Sequence, residues 1–248
     1  MKHIVKPALI LTLTAFFSAM LLSYAKKITE PYILSHEINK QNQAVKLVLH
    51  GYTIGEEIIA KLDDGTKFSY WVGTKIEEDT NDKDNKNNTD NKNGIEKKAY
   101  AFISATHGYR GEIKSVIGVD ENNKILGISI IRQTETPGLG EKINERAYRE
   151  TIWSALFGNN YSSNRETTPW FQKQFVGIDL NKEIVIFKNE LRSREISSEL
   201  IDKNAIIAIT GATVTTKSIA NGIQDSLIKL KKARFIMEQD TENTENVK

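Results

Sequence analysis

Residues 111–140, GEIKSVIGVDENNKILGISIIRQTETPGLG, determine the fold of this chain. Two segments rich in β-forming residues, 111–119 and 124–132, flank the polar run Asp-Glu-Asn-Asn at 120–123. This pattern predicts two antiparallel strands joined by a polar turn. The hexapeptide ETPGLG at 135–140 follows the second strand closely, so the end of the hairpin determines where it lies.

The hexapeptide itself predicts a tight turn. Pro137 fixes its own φ angle, and Gly138 readily adopts a positive φ angle. Gly140 leaves a second place where another surface can approach the backbone. The residues alone leave two interpretations open, namely a binding loop or simply a turn between a strand and a helix.

A second stretch of small residues, ITGATVTT at 209–216, leads into a helix predicted over residues 215–237. The free N–H groups and the dipole at a helix N-terminus favour an anion such as phosphate. The stretch has neither the Gly-Lys-Ser/Thr ending of a Walker loop nor the glycines of a Rossmann fingerprint. An ordinary N-cap formed by Thr213, Thr215 or Thr216 is the alternative interpretation.

Further strands and helices are predicted on both sides of the hairpin. In chain order they are a helix over 29–55, a strand over 66–74, a strand over 99–105, a helix over 144–156, and a second hairpin of 175–180 and 183–188 with Asn181 in its turn. In the last helix, Ile219, Ile223, Leu227 and Leu230 recur at spacings that place them on one face. Strands mixed with flanking helices predict an α+β fold.

The N-terminal segment 7–25 contains no charged residue and lies between Lys6 and the pair Lys26 and Lys27. With its apolar neighbours it reaches the about 20 residues that span a bilayer as a helix. We expect a retained anchor, because the run is long for a signal peptide, with the N-terminus inside and the rest of the chain outside. Cleavage after residues 23–25 and a buried core helix are the alternatives.

Composition excludes several classes of protein. The 248 residues contain 34 Lys and Arg against 32 Asp and Glu, and a net charge of +2 is not that of a strongly basic nucleic-acid-binding protein. The absence of Cys excludes disulfides, thiol nucleophiles and cysteine-ligated iron–sulfur clusters on this chain. The 4 His residues are scattered and form no metal-binding motif.

Residues 77–98 consist mainly of Asn, Asp, Glu, Lys and Thr. They offer almost no apolar surface to bury, so we expect a flexible surface insertion. Their aspartates lack the spacing of a calcium-binding loop. The sequence thus divides into a membrane anchor over 1–27, a stalk helix and first strand over 28–76, the insertion over 77–98, a folded domain over 99–237 and a polar tail over 238–248.

The two motifs together, ETPGLG at 135–140 and TGAT at 210–213, resemble the FMN-binding domain of the G subunit of Rnf electron-transport complexes. The chain is also similar to the C subunit of the sodium-pumping NADH:quinone reductase. The likeness extends to the N-terminal helix, to GYRGEI at 108–113 and to WFQKQF at 170–175. It implies one FMN-binding domain over residues 99–237, with antiparallel hairpins and flanking helices.

In that family the last Thr of the S/T-GAT motif carries FMN through a phosphodiester bond, and the matching residue here is Thr213. The resemblance implies that Thr210, Gly211 and Ala212 belong to the same cofactor site. It also implies that the other motif lines the flavin ring with Glu135, Thr136, Gly138, Leu139 and Gly140. A magnesium-dependent flavin transferase attaches the FMN, which it takes from FAD.

One position departs from the family pattern. The family usually has Asp three residues before the first residue of S/T-GAT, where this chain has Ile207. Asp202 is close in sequence but lies at a different spacing. Because the departure affects the motif itself, a non-flavinylated structural subunit stays open as an alternative.

The resemblance implies a membrane-anchored subunit that passes electrons between ferredoxin and NAD through FMN on Thr213. It would belong to an ion-translocating complex of the bacterial inner membrane, single-pass, with its bulk on the periplasmic side. Expected partners are other membrane, flavin or iron–sulfur subunits, besides the transferase, and no nucleic acid. Flavin chemistry requires no acid or base from this chain, so Glu112 and His107 are interpreted as hairpin or surface residues. The C subunit of the quinone reductase and a flavin-binding sensor or reductase module are further alternatives.

Overall fold

The computed structural model describes residues 2–77, 95–145, 168–188 and 198–245. The chain divides into two compact units, residues 1–43 and 44–248. The second unit combines an antiparallel sheet with helices, which confirms the predicted α+β class.

The first helix, α1, extends over Lys2–Val48. Within the described part of the chain it is the one helix long and apolar enough to cross a membrane. Its side chains are exposed from residue 9 to 22, and the Thr12 hydroxyl donates to the Ala8 carbonyl of the same helix at 2.9 Å. Backbone and hydroxyl groups satisfied within the helix, with apolar side chains outside, are the properties that a bilayer core requires.

The helix ends earlier than predicted. It continues through Pro31 but stops at Val48, and Gly51 in the following turn has a φ angle of +85°. The last residues of the predicted helix over 29–55 instead begin strand β1, Thr53–Lys61, so residues 28–76 contain two strands rather than one. The Glu and Ala residues of β1 are poor indicators of a strand, and pairing with the next strand overrides their preference.

Five antiparallel strands form a meander in the order β1-β2-β3-β4-β5. After β1 they are β2, Lys67–Glu77; β3, Ile95–His107; β4, Glu112–Asp120; and β5, Ile125–Arg132. The predicted strands over 66–74, 99–105, 111–119 and 124–132 and the polar turn at 120–123 are confirmed. The turn is closed by the side chain of Asp120, whose Oδ1 accepts from the N–H groups of Asn122 and Lys124.

The predicted insertion over 77–98 is too wide at both ends. Glu77 pairs with Ile95, and Thr74 pairs with Lys98, so these residues belong to β2 and β3. The core-forming parts of β2 and β3 pair with each other, and the same antiparallel hydrogen bonding continues into the polar residues at the ends of both strands. Residues 78–94 lie outside the described residues.

The predicted hairpin over 175–180 and 183–188 is wrong in its first half. Phe175 lies in the turns that follow a short helix, α2, Trp170–Lys173. It packs edge-on against Phe171, with ring centroids 5.4 Å apart, and both rings are buried. The two residues have helical i,i+4 spacing, which the β-forming composition of the segment concealed.

The second half of that segment pairs with a later strand. β6, Val185–Phe187, runs parallel to β7, Ala205–Ile207, so the two cannot be joined by a tight turn. Asn204, just before β7, is buried and orders the loop before β6. Its side chain donates to the carbonyls of Asp179 and Glu183 and accepts from the Asp179 N–H.

Three helical segments complete the described fold. A 3-10 helix over Gly140–Asn144 meets the predicted helix over 144–156, of which residues 146–156 lie outside the described residues. A short helix, α3, Ser198–Asp202, precedes β7. The last helix, α4, Thr213–Glu245, confirms the helix predicted over 215–237 and continues through most of the predicted polar tail, since elongation of a formed helix is easy for polar sequence.

Helix α4 packs on one face of the sheet. Its predicted inner face is confirmed, because the four residues that share it are all buried in the main core: Ile219, Ile223, Leu227 and Leu230. The Thr106 hydroxyl of β3 donates to the Ser218 carbonyl at 3.0 Å, and a Cβ at Gly222 would lie 2.7 Å from Thr106 Cβ. The N-terminal half of α4 is therefore held close to β3.

The other face of the sheet receives the last turn of α1. Val45 and Val48 are buried there together with Trp71 of β2. A Cβ at Gly118 would lie 2.6 Å from the Val48 carbonyl oxygen, and one at Gly127 would lie 3.2 Å from Val48 Cα. Glycines on β4 and β5 therefore allow the helix end to touch the sheet backbone.

Gly118→Ala is expected to lower the free energy of unfolding by about 1–3 kcal/mol, as overpacking usually does. The atom that the new Cβ would meet is a backbone oxygen, which cannot rotate away. Gly55→Ala is the control for a close contact without overlap, because its Cβ would lie 3.3 Å from the Val72 carbonyl oxygen, and it should cost less. Urea unfolding of the full chain in detergent, followed by tryptophan fluorescence, measures both. Equal losses would contradict the close seating of Val48.

Candidate functional site

The ETPGLG loop begins shortly after β5 and forms the predicted Pro-Gly turn. The N–H groups of Leu139 and Glu141 donate to the Thr136 carbonyl oxygen at 3.2 and 3.3 Å. Gly138 has a φ angle of +74°, in the region that favours glycine. The loop therefore reverses the chain and leads it directly into the 3-10 helix.

The TGAT motif forms the turn between β7 and α4. Gly211 has a φ angle of +79°, and the Ala212 N–H donates to the Ile209 carbonyl at 2.8 Å. Thr213 is the first residue of α4, a helix of 33 residues. Because the first N–H groups of a helix have no partner within it, the motif presents hydrogen-bond donors and the positive end of the helix dipole.

The three threonines at the start of α4 have different partners. The Thr216 hydroxyl accepts from the Ile209 N–H at 3.2 Å and donates to a carbonyl one turn earlier at 3.1 Å. The Thr215 hydroxyl donates to the Glu135 carboxylate at 2.6 Å. Thr213 is half-buried, and its hydroxyl makes no hydrogen bond to any residue that the structure describes. Thr213 thus has the hydroxyl best placed to accept a ligand.

Glu135 joins the two motifs. It is only 5% exposed, and its Oε2 accepts from the Thr215 hydroxyl while its Oε1 accepts from the Arg110 N–H at 3.1 Å. Its own N–H donates to the Gln133 side chain at 2.6 Å. One buried carboxylate therefore connects the end of β5, the first turn of α4 and the loop between β3 and β4. Hydrogen bonds to a charged acceptor are among the strongest in proteins.

Glycines allow the loops to approach this carboxylate. A Cβ at Gly140 would lie 2.6 Å from Glu135 Oε2, and a Cβ at Gly108 would lie 2.2 Å from Oε1. A Cβ at Gly211 would lie 3.0 Å from Leu139 Cδ2. The ETPGLG and TGAT motifs, distant in sequence, are therefore in direct contact.

The nine predicted site residues form an exposed rim and a buried base. Thr210, Gly211, Gly138 and Leu139 are exposed; Thr136 and Thr213 are half-buried; Gly140, Ala212 and Glu135 are buried. Leu139 is 43% exposed beside Gly211, and Val214, next to Thr213, is 54% exposed. The structure thus places apolar surface beside the start of α4.

Sequence reasoning missed two contributors to this arrangement. The sequence suggests Thr215 only as an N-cap and indicates no role for the main chain of Arg110. Nothing in the sequence separates Thr215 from its neighbouring threonines until the position of Glu135 is known. The glycines at 108 and 111 were the available signal for the loop around Arg110, because they mark a place of close backbone approach.

His107 and Glu112 are surface residues of the hairpin, as predicted. They pair across β3 and β4, both are exposed, and Glu112 Oε2 lies 3.9 Å from Arg132 Nη1. An ion pair of this exposure contributes little to stability. Among the described residues, no group of three His, Cys, Asp or Glu residues could hold a metal ion.

Ile207, where the family pattern usually has Asp, is the last residue of β7 and is half-buried. The Gln174 side chain holds its main chain, accepting from the Ile207 N–H at 2.8 Å and donating to its carbonyl at 3.5 Å. Asp202 is exposed at the end of α3. The segment before TGAT is therefore fixed by backbone contacts that do not depend on the side chain at 207.

A family model for the FMN-binding domain matches residues 108–228. This stretch begins at the loop that contacts Glu135 and ends within α4, so it contains every part of the site. Over these residues the chain is similar to the FMN-binding domain family.

Relatives of the chain are named as components of oxidoreductase complexes. The G subunit of the Na(+)-translocating ferredoxin:NAD(+) oxidoreductase complex of Acetobacterium woodii is 30% identical over 49% of this chain and 44% of its own length. The G subunits of ion-translocating oxidoreductase complexes are 34% identical in Salmonella typhi, over 52% of this chain and 49% of theirs, and 35% identical in Haemophilus influenzae, over 31% and 36%. The chain thus spans about half or less of the length of these relatives.

A solved structure is also similar to the chain. It is the C subunit of the Na(+)-translocating NADH-quinone reductase of Parabacteroides distasonis, and the match covers 65% of this chain and 59% of that one at 19% identity and a TM-score of 0.37. That degree of similarity does not by itself determine a fold.

Glu135→Ala is expected to lower the free energy of unfolding by about 1–3 kcal/mol, the cost of one buried donor left without an acceptor. The buried donor is the Thr215 hydroxyl, whereas the Arg110 N–H belongs to an exposed residue and can bond to water instead. Glu141→Ala removes a nearby exposed carboxylate and should change stability by less than about 0.5 kcal/mol. Chemical unfolding of the full chain compares the two, and equal effects would show that Glu135 does not join the loops.

Proposed function

We propose that this chain is the membrane-anchored flavoprotein subunit of an Rnf-type ion-translocating electron-transport complex, with FMN attached covalently to Thr213. One observation carries the proposal. Within a domain similar to the FMN-binding domain family, Glu135 joins the two motifs and leaves the Thr213 hydroxyl at the start of α4 without a described partner.

The residues around Thr213 fit a phosphodiester-linked FMN. The phosphate anion would lie beside the free N–H groups at the start of α4, where the helix dipole favours negative charge. Gly211 is exposed and has no side chain to obstruct the phosphate, and Ala212 has only a methyl group. Leu139 offers exposed apolar surface beside Gly211 for the flavin ring.

FMN, when bound, supplies the electron chemistry, and the protein positions and tunes it. Thr213 would fix the phosphate end of the cofactor. Glu135, acting through Thr215, fixes the helical turn that carries Thr213. A covalent bond suits a cofactor on an exposed rim, because dissociation into the surrounding solution would otherwise remove it.

The attachment reaction is a phosphoryl transfer. The Thr213 hydroxyl would lose its proton, and its Oγ1 would bond to the FMN phosphorus as the pyrophosphate bond of FAD breaks. AMP would leave, with the FMN remaining on the chain. A separate flavin transferase would catalyse the step.

Electrons would pass between ferredoxin and NAD through neighbouring subunits. The support for this couple is the name of the Acetobacterium woodii relative, whose complex is a ferredoxin:NAD(+) oxidoreductase. Because this chain contains no Cys, any iron–sulfur cluster in the path would belong to another subunit. Ion translocation would likewise require other chains.

Helix α1 would anchor the subunit in the bacterial inner membrane as a single span, with residues 44–248 on the periplasmic side. The support is its length, its exposed apolar surface and the names of the relatives as subunits of ion-translocating complexes.

A non-flavinylated structural subunit is the second candidate function. Ile207 favours it, because the family usually has Asp at this position before S/T-GAT. The two functions differ in one observable property, the presence of a covalent flavin.

Thr213→Val is expected to abolish covalent attachment of FMN, because it removes the hydroxyl and keeps the shape of the side chain. The full chain is co-expressed with a flavin transferase exported to the same compartment, denatured, and examined by intact mass and in-gel flavin fluorescence. The unmodified sequence should gain the mass of one FMN less one water, and Thr213→Val should gain nothing.

Thr53→Val is the matched control, since it removes an exposed threonine hydroxyl at the start of β1, outside both motifs. It should retain attachment. A mass gain that persists in Thr213→Val would place the bond elsewhere, and no gain in the unmodified chain, with a positive control protein flavinylated in parallel, would favour the structural subunit.

The anchor is expected to survive alkaline carbonate extraction. The full chain should remain in the membrane pellet with an intact mass that includes residues 1–27, because α1 exposes apolar side chains to the bilayer. A chain lacking residues 1–27 should appear in the soluble fraction. A mature protein that begins at Lys26 would instead identify residues 1–25 as a cleaved signal peptide.

A further inference from the structure

The loop between β3 and β4 presents an aromatic side chain next to the Glu135 site. Tyr109 lies in this loop, between Gly108 and Arg110, and is 72% exposed. Neither motif of the proposed cofactor site includes it, and no step of the proposed function uses it.

The loop that carries Tyr109 is tightly fixed. The Gly108 N–H donates to the Gly111 carbonyl at 2.8 Å, which closes the turn, and the Arg110 N–H donates to Glu135. A Cβ at Gly108 would lie 2.2 Å from Glu135 Oε1, and a Cβ at Gly111 would lie 2.2 Å from Thr134 Oγ1. Both ends of the turn therefore lie in close contact with residues 134 and 135, at the start of the ETPGLG loop.

The same carboxylate connects this loop to the start of α4. Glu135 accepts from Arg110, next to Tyr109, with one oxygen and from Thr215, two residues after Thr213, with the other. Two hydrogen bonds to one carboxylate thus connect the backbone next to Tyr109 with the helical turn that carries Thr213. The backbone at Tyr109 is therefore held near the proposed attachment point, with its aromatic ring exposed.

We propose that Tyr109 is a flavin-contacting residue, whose ring stacks against the isoalloxazine ring of the FMN carried by Thr213. This inference rests on the proposed function. Flat aromatic systems associate by offset stacking, and because the backbone of this turn is already fixed, only side-chain freedom is lost when the Tyr109 ring stacks. Leu139 supplies aliphatic surface from the ETPGLG loop, and Tyr109 supplies the aromatic surface from the β3–β4 loop.

Flavin fluorescence tests the contact directly. An excited flavin takes an electron reversibly from a phenol or indole ring in contact with it, which quenches emission, whereas a phenyl ring does not donate. Tyr109→Ala, Tyr109→Phe and Tyr109→Trp are prepared as flavinylated full chains, and emission is measured per covalently bound FMN. The Ala and Phe variants should be several-fold brighter than the unmodified chain, and the Trp variant should stay quenched.

A second readout separates stacking from quenching. Circular dichroism in the visible flavin band should be retained in Tyr109→Phe, which keeps a stacking ring, and reduced in Tyr109→Ala. Phe235→Ala is the control, because Phe235 is 61% exposed on the same helix as Thr213 but 22 residues later, about 33 Å along the helix axis. It should change neither signal.

The outcomes distinguish this proposal from the proposed function. Covalent FMN is measured first by intact mass, and an unmodified chain without FMN would overturn both. Normal FMN content with unchanged emission and circular dichroism in all three Tyr109 variants would overturn only the stacking contact. If Tyr109→Ala fails to fold, Tyr109→Phe at normal FMN content still tests the contact. Brighter emission would support it, and unchanged emission would overturn it.

Discussion

The carboxylate of Glu135 is the interaction on which the candidate site depends. A buried carboxylate is costly unless hydrogen bonds replace its lost water, and here a hydroxyl and a backbone N–H do so. These donors come from two different segments, and Glu135 itself belongs to a third. The site therefore exists only when the sheet and α4 have packed together, and the positions of its residues depend on the whole domain.

Local patterns predicted those elements whose partners are close in sequence. The polar residues between β4 and β5 predict the turn of that hairpin, and the regular spacing of apolar residues predicts the inner face of α4. The failures have two causes. β1 has little strand preference of its own and forms because it pairs with β2, which follows it in the sequence. β6 pairs in parallel with β7, beyond a helix that intervenes in the sequence. Alternation cannot reveal a partner that lies on a distant segment.

The same distinction applies to the site. Family resemblance named the two motifs, and the turn-forming glycines were evident from the sequence. The hydrogen bonding of Glu135 was not, because the sequence suggested only a residue lining the cofactor, while the structure directs both oxygens to protein donors. That Glu135 also lines the cofactor stays a prediction. Thr215 could not be distinguished from Thr213 and Thr216, since a hydroxyl acquires its role from what the fold places opposite. The sequence therefore indicated which residue types form the site, but it did not indicate which of them hydrogen-bond to each other.

The close contact of Val48 with glycines of β4 and β5 has a consequence for the order in which parts of the protein fold during synthesis. Gly118 and Gly127 follow Val48 by 70 and 79 residues, so the helix end emerges from the ribosome long before its docking surface exists. Closing so long a loop carries an entropic cost that only the finished sheet offsets. The sheet should therefore close onto the helix end late, and a chain halted before β5 would leave the apolar side of that last turn exposed to solvent or to chaperones.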